Sequence, residues 1–179
     1  MTIFTIGHST RTLEKFIELL KGANINHLAD VRRFPHSRRQ PQFNIETLPD
    51  ALAKASIGYT HMPALGGRRA ARADGKPSEN TLWREEGFRN YADYAETPEF
   101  RAAFDELMKL AKTKRAAIMC AEALWWQCHR RIIADYLIAA GVKAEHILDS
   151  KIEPAHLTEG AIIRPDKSVL YTDMPLLAG

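Results

Sequence analysis

Apolar residues follow two alternating patterns along the chain, short continuous runs and longer stripes with helical spacing. The short runs predict buried strands at residues 3–6, 25–31, 59–62, 116–119 and 145–148. The stripes predict helices at residues 13–21, 48–57, 88–95, 98–111 and 132–140. Strands that alternate with helices are typical of an α/β fold with a largely parallel sheet and helices on both faces.

Residue types at the ends of these segments agree with the predicted boundaries. Thr12 and Thr47 stand where helix N-caps are expected, and the sequence Thr97-Pro98-Glu99 is a strong helix start. Gly22, Gly58 and Gly141 stand where three helices should end. Two short apolar segments, at residues 161–164 and 168–171, predict a C-terminal β-hairpin. No linker interrupts the pattern, so we expect residues 1–179 to form a single α/β domain.

Composition places the chain among ordinary globular proteins. It has 179 residues, of which 45% are hydrophobic and 26% charged. No apolar run approaches the roughly 18 residues that a membrane span requires. Two cysteines do not make a disulfide framework, and the N-terminus does not look like a signal peptide. These features predict a cytoplasmic protein with reduced thiols and no membrane partner.

Positive charge is concentrated in a few segments, although the formal net charge is only +3. The arginines cluster at residues 32–39, 68–72 and 130–131. Arginine binds phosphate and carboxylate groups in a fixed, forked geometry, so these clusters predict an anionic ligand. A solvated surface is the alternative interpretation. Residues 32–46 form a long polar segment, and loops of that length are usually functional or disordered.

The densest group of reactive side chains follows the strand at residues 116–119. It contains Cys120, Glu122, Cys128, His129 and Arg130, just before the helix at residues 132–140. Ligands of open α/β sheets bind beyond the carboxyl ends of the strands, and this segment lies at such an end. Other strand ends carry further candidates, and in a parallel sheet all of them share one edge. We expect His8, Cys120, Glu122 and His129 to be catalytic, and the ligand to be bound by Ser9, Asp30, Arg32, Arg38, Gly66, Gly67, Arg68, Cys128 and Arg130.

Each of these residues also has a simpler interpretation. Cys120 could be a nucleophile activated by the helix N-terminus and Arg130, or a small buried apolar residue. Glu122 could act as a general base, orient His129 or bind ribose hydroxyls, or it could pair with Arg130. Ser9 could belong to an anion cradle or to a plain cap. The aromatic pair at residues 125–126 could stack on bases or pack in the core.

Smaller signals complete this interpretation. Asp30 and Arg32 could contact the ligand or form an internal salt bridge. Gly66 and Gly67 could let the backbone approach a phosphate or form an ordinary turn. Cys120, Glu122, Cys128 and His129 could instead bind zinc. The spacing Cys-x7-Cys-His is not a common zinc spacing, however, and adjacent Cys-His is awkward for one tetrahedral ion, so we expect no metal and no cofactor.

Several of these motifs resemble the "domain of unknown function 488" family. They are Thr5-Ile-Gly-His-Ser-Thr10, Asp30-Val-Arg32 with Pro35, Ser37 and Arg38, Phe43, Gly58-Tyr-Thr-His61, Leu65-Gly-Gly-Arg68, and Cys120-Ala-Glu122 with Cys128-His-Arg130. The resemblance covers residues 3 to about 150. It implies a bacterial or archaeal cytosolic α/β protein with its site at these motifs, and no settled activity. The segment Asp30-Val-Arg32 followed by Cys120 is also similar to rhodanese-like domains, although the compact glycine-containing loop of those domains is missing.

Three functions are compatible with these observations. The first is a cleft that binds a phosphate-bearing ligand, either a nucleotide or a nucleic-acid end, with thiol-dependent chemistry at Cys120. The second is a non-catalytic nucleic-acid-binding module that uses the basic loops and the tryptophans. The third is a structural interaction protein whose arginines pair with acids on a partner subunit, so an oligomer is compatible with the sequence.

Overall fold

The computed structural model describes residues 1–173 of the chain. Within these residues, six strands form the main sheet, namely β1 Thr2–Gly7, β2 His27–Asp30, β3 Gly58–His61, β4 Ala116–Cys120, β5 Lys143–Ile147 and β6 Ile152–Pro154. Their spatial order is β3-β2-β4-β1-β5-β6, and the first five in this order run parallel. Strand β6 pairs antiparallel with β5 at the edge.

Five α-helices of the described part of the chain connect these strands. Their bounds are α1 Leu13–Gly22, α2 Leu48–Lys54, α3 Glu86–Ala95, α4 Pro98–Thr113 and α5 Arg130–Ala139. The hydroxyl of Thr12 caps α1 by accepting from the backbone N–H of Lys15, and that of Thr97 caps α4 by accepting from Phe100. Single 3₁₀ turns occupy Pro41–Phe43, Pro63–Leu65 and Trp125–Gln127.

Alternate residues of each central strand enter two separate hydrophobic cores. In β4, Ala117 and Met119 pack with the buried faces of α1 and α2. Ala116 and Ile118 pack on the opposite face, against α3, α4 and α5. A sheet that is covered on both faces explains why β4 is buried at every position and reads as a continuous apolar run. The predicted α/β architecture with a largely parallel sheet and flanking helices is confirmed.

Two further strands, β7 Ala161–Ile163 and β8 Val169–Tyr171, form the predicted C-terminal hairpin as a separate two-stranded sheet. The side chain of Tyr171 is buried, and its hydroxyl donates to the carboxylate of Asp135 in α5 at 2.9 Å. The hairpin therefore packs on the helix that follows the reactive segment. Within the described residues, no helix is both long and apolar enough to cross a membrane.

The structure corrects several local predictions. Thr47 does not cap α2, because its hydroxyl donates to the backbone carbonyls of Pro41 and Asn44. Helix α2 ends at Lys54, before the predicted end, and Gly58 begins β3 instead of ending the helix. Helix α5 begins earlier than predicted, and β6 was not predicted at all. A three-residue edge strand has too few positions to show an alternating pattern.

Candidate functional site

The reactive segment lies at the carboxyl end of β4, between the ends of β1 and β2. Backbone N–H groups of His8 and Ser9 donate to the carbonyls of Cys120 and Ala121 at 2.9 and 2.8 Å, which extends the pairing of β1 and β4 beyond the strands. On the other side, the N–H of Val31 donates to the Met119 carbonyl. A cleft of about 770 Å³ opens at this edge, and both cysteines and His129 line it.

Gly7 sets how closely the segment after β4 folds over β1. A Cβ atom at this position would lie 1.7 Å from the backbone oxygen of Glu122, closer than any real contact. Only glycine permits this approach, and the approach positions the backbone of the reactive segment over the end of β1.

Three side chains of the reactive segment converge on one point. The sulfur atoms of Cys120 and Cys128 lie 3.8 and 3.5 Å from Nδ1 of His129, and the three atoms are all within 4.8 Å of one another. We call these three residues the Cys/His cluster. The sequence spacing alone left open whether Cys120 and His129 face each other, and the structure brings them together. The 3₁₀ turn at Trp125–Gln127 reverses the chain so that Cys128 returns to Cys120.

Arg130 lies behind the cluster and not in the cleft. Its side chain is 1% exposed, and its Nε donates to the sulfur of Cys128 at 3.5 Å. Its other nitrogens donate to the hydroxyl of Thr5 and to the backbone carbonyl of Glu122. No carboxylate among residues 1–173 pairs with this guanidinium, so the Glu122–Arg130 ion pair considered from the sequence is absent there. Arg130 therefore connects Cys128 and Glu122 of the reactive segment to Thr5 in β1, whereas the sequence predicted that it would contact the ligand.

The two cysteines are electrostatically different. Burial opposes ionisation of Cys128, but the Cys120 thiol, His129 and Arg130 outweigh it and hold the pKa of Cys128 well below its usual range. The hydrogen bond to Cys128, together with burial, raises the pKa of Cys120. Negative charge is therefore favoured on Cys128, whereas sequence reasoning assigned it to Cys120.

His8, Asp30 and Arg32 form a buried polar scaffold beside the cluster. Arg32 donates to the carboxylate of Asp30 through Nε at 2.9 Å and through Nη2 at 2.6 Å. The Nδ1–H of His8 donates to the Ser9 carbonyl, and Nε2 of His8 accepts from Arg32 at 3.2 Å. Burial lowers the pKa of His8 to about 4, so its imidazole is neutral at pH 7. This arrangement matches the internal salt bridge that was the alternative interpretation of Asp30 and Arg32.

The rim of the cleft carries three exposed arginines without carboxylate partners among the described residues. These rim arginines are Arg33, Arg39 and Arg68, and Arg33 donates to the backbone carbonyl of Arg68. Two carboxylates, of Glu85 and Glu122, also line the cleft. The rim is therefore positive overall and also offers hydrogen-bond acceptors.

The predicted ligand-binding residues are divided between the cleft and its surroundings. Those that line the cleft are Ser9, Arg32, Gly67, Arg68 and Cys128, together with all four predicted catalytic residues, His8, Cys120, Glu122 and His129. Those that do not line it are Asp30, Arg38, Gly66 and Arg130. The ligand-binding roles of the residues that line the cleft remain predictions.

Gly66 lies against the backbone of Arg33 and Gly67 against the imidazole of His129, so the two glycines do not surround an open cradle. A Cβ on Gly66 would lie 2.6 Å from the backbone nitrogen of Arg33. A Cβ on Gly67 would lie 2.9 Å from Nδ1 of His129. Gly67 therefore leaves room for the imidazole of the Cys/His cluster.

Sequence reasoning missed Phe34, whereas Arg33 and Arg39 belong to the arginine cluster at residues 32–39 for which it predicted an anionic ligand. Phe34 lines the cleft and is 62% exposed, which is unusual for a large apolar side chain. Its position within a polar, arginine-rich loop was an available signal. The predicted stacking residue Trp125 instead packs on His146, with ring centroids 4.4 Å apart, and donates to Glu153.

Comparison with known proteins identifies one family. Residues 12–137, more than two thirds of the chain, match the family described as "Domain of unknown function DUF488". No curated protein and no solved structure matches the chain significantly, so the similarity to rhodanese-like domains has no support from these comparisons. The match to the family includes the end of β2, the rim arginines and the whole Cys/His cluster. This chain therefore belongs to the DUF488 family.

Proposed function

We propose that the protein binds a small phosphate-bearing molecule of nucleotide size in the cleft, and that its chemistry depends on the Cys120 and Cys128 sulfurs. The observation that carries this proposal is the placement of three arginines, none of which forms an ion pair with a described residue, around a cleft with two sulfur atoms at its floor. A volume of about 770 Å³ falls within the usual range for small-molecule sites.

The rim arginines supply the charge that a phosphate requires. Arg39 and Arg68 are exposed and make no ion pair with a described residue, so their guanidinium groups are free to bind an anion. The forked donors of arginine match the geometry of a phosphate group. Arg38, the neighbour of Arg39, is equally exposed but does not line the cleft, and it therefore provides a matched control.

The remaining lining residues fit the other parts of a nucleotide. Phe34 is 62% exposed, with the Arg33 guanidinium over its ring at 5.3 Å from the centroid, and a base can stack on the opposite face, an interaction worth about 1–3 kcal/mol. Glu122 offers carboxylate oxygens that can accept hydrogen bonds from ribose hydroxyls. The cleft therefore contains complementary groups for a phosphate, a sugar and a base.

The binding half of the proposal is tested by isothermal titration calorimetry on metal-stripped, reduced protein. The probes are inorganic phosphate, the nucleoside monophosphates and a short single-stranded oligonucleotide. We expect Arg39→Ala and Arg68→Ala to weaken binding of every phosphate-bearing probe, each by about tenfold. Arg38→Ala should leave binding unchanged. Phe34→Ala should weaken binding of the nucleotides by about five- to 150-fold and leave inorganic phosphate unaffected.

The results separate the competing interpretations. Tight binding of the oligonucleotide without measurable binding of mononucleotides would favour the nucleic-acid-binding module instead. Equal losses in Arg38→Ala and Arg39→Ala would show that the binding is nonspecific and not centred on the cleft. Absence of binding to all probes would overturn the phosphate proposal.

The thiol half of the proposal is tested on the bound nucleotide. Phosphorus NMR follows the ligand with time in the wild type and in Cys120→Ser and Cys128→Ser. We expect the phosphorus resonance of the nucleotide to change with time in the wild type and in neither serine variant. Both variants should still bind phosphate, because their rim arginines are unchanged. A change that persists in both serine variants would exclude the sulfurs from the chemistry.

A further inference from the structure

The Cys/His cluster has the dimensions of a metal site. Zinc binds sulfur at about 2.3 Å and imidazole nitrogen at about 2.1 Å, so tetrahedral angles separate sulfur from nitrogen by about 3.6 Å and two sulfurs by about 3.8 Å. In the structure, the two sulfur-to-Nδ1 distances are 3.5 and 3.8 Å, and no pair of the three atoms is more than 4.8 Å apart. A zinc ion would therefore require only small movements of the three side chains.

The imidazole of His129 is held in the form that a metal needs. Its Nε2 lies 3.3 Å from the backbone carbonyl of Val31, and a carbonyl can only accept, so Nε2 carries the proton. In the neutral ring the lone pair is then on Nδ1, which faces both sulfur atoms. A second ring nitrogen that donates to a carbonyl is the usual support for a histidine ligand.

The buried charge around the cluster is also suited to a thiolate–metal centre. Arg130 is almost fully buried and, within the described residues, has no carboxylate partner, while its Nε points at the Cys128 sulfur. Buried charges are normally paired, and a thiolate at Cys128, the form in which cysteine binds a metal, would supply the negative charge that this guanidinium lacks.

From this geometry we infer that Cys120, Cys128 and His129 bind one zinc ion through two thiolates and Nδ1, with the fourth position open to the cleft. Three protein ligands with an open position are the pattern of catalytic zinc sites, whereas structural sites have four. All three ligands line the cleft, so a water molecule or an anion can reach the fourth position. This inference gives a specific form to the proposed thiol dependence and is independent of phosphate binding by the arginines.

The spacing argument against a metal is overcome by the backbone. Adjacent Cys-His ligands are awkward in an extended strand, but Cys128 has extended backbone angles while His129 already has the helical angles of the residue before α5. This change of conformation between neighbours turns both side chains towards Cys120.

The test uses Co²⁺ as a spectroscopic substitute for zinc on the full chain, stripped of metal and kept reduced. We expect one equivalent to bind, with the ligand-field bands of a tetrahedral ion and thiolate-to-cobalt charge transfer, and Zn²⁺ to displace it. Cys120→Ser, Cys128→Ser and His129→Ala should each weaken Co²⁺ binding by more than about a hundredfold. His36→Ala is the matched control, because His36 also lines the cleft but pairs with Glu46 away from the cluster.

Titration of the cobalt protein with azide then tests the open position. A shift of the ligand-field bands is expected, and unchanged bands would overturn the assignment of an accessible fourth position. Failure of the folded wild type to bind one equivalent of Co²⁺, or charge transfer that survives in both serine variants, would overturn the metal site itself. Neither result would affect the phosphate proposal, which is measured on metal-stripped protein.

Discussion

The buried pair of Asp30 and Arg32 allows a quantitative test of whether Arg32 supports the fold or binds the ligand. The carboxylate of Asp30 accepts from Nε, Nη2 and the backbone N–H of Arg32 at 2.9, 2.6 and 3.1 Å, and from the hydroxyl of Tyr59 at 2.7 Å. Arg32 also donates to the carbonyl of Phe43 and to His8. Both side chains are buried, so removal of one leaves the other charge without its partner.

The expected cost follows from that geometry. Removal of one member of a buried ion pair costs about 3–5 kcal/mol, so Asp30→Ala and Arg32→Met should each lower the free energy of unfolding by about 4 kcal/mol. Tyr59→Phe removes only one hydrogen bond to a charged acceptor and should cost about 1.5 kcal/mol. The double variant leaves no unpaired charge and should cost about 2–3 kcal/mol less than the sum of the single variants.

The assay is urea unfolding of all five proteins at pH 7, followed by circular dichroism. Additivity of Asp30→Ala and Arg32→Met within about 0.5 kcal/mol would refute the coupling. If Arg32→Met leaves stability unchanged and abolishes phosphate binding, the structural assignment of Arg32 is wrong and its sequence-predicted role as a ligand residue is correct.

Three further predictions address the surroundings of the site. Burial lowers the pKa values of His8 and His146 to about 4, against about 6.5 in the unfolded chain. The free energy of unfolding should therefore fall as the pH is lowered from about 6.5 to about 4, by at most about 1.4 kcal/mol per pH unit for each ring. Imidazole NMR should show both rings neutral at pH 5, and titration near 6.5 would contradict this. Gly67→Ala should weaken Co²⁺ binding by about tenfold, because the added Cβ would lie 2.9 Å from the imidazole of the Cys/His cluster. Gly87→Ala is the control and should leave Co²⁺ binding unchanged, because its Cβ would meet no atom within 4 Å. Equal Co²⁺ affinities of the two variants would show that the imidazole moves freely. Arg130→Lys should cost about 2–4 kcal/mol in urea unfolding, because one ammonium group cannot reach all the acceptors of the guanidinium, and a loss below 1 kcal/mol would disprove its supporting role.

Local patterns predicted most of the fold because each central element carries its own strong signal. The run at β4 enters two cores at once, so it is apolar at every position and cannot be mistaken for a surface segment. Thr12 and Thr97 cap their helices as their positions in the sequence predict. Thr47 does not cap α2, because its hydroxyl donates to two backbone carbonyls in and just after the 3₁₀ turn that precedes it. Helix-capping propensities do not take such competing acceptors into account.

The composition of the site was also visible in the sequence, but the roles of its members were not. The predicted parallel sheet placed His8 and Cys120 at one edge, because parallel strands end on the same side, but it did not show whether His129 faces Cys120. The sequence could not show that Arg130 turns inward or that Phe34 remains exposed. Both outcomes depend on which neighbours fill the space around a side chain, and those neighbours are distant in the chain.

The α/β architecture and the location of the reactive segment follow from the sequence, because the period of the apolar residues and the strand-to-helix transition are local properties. The meeting of Cys120, Cys128 and His129 within 4.8 Å is a property of the folded chain. That meeting requires the close approach at Gly7 and the turn before Cys128. The physical reason is that convergence of side chains depends on backbone geometry and packing between distant segments, which no spacing along the chain specifies.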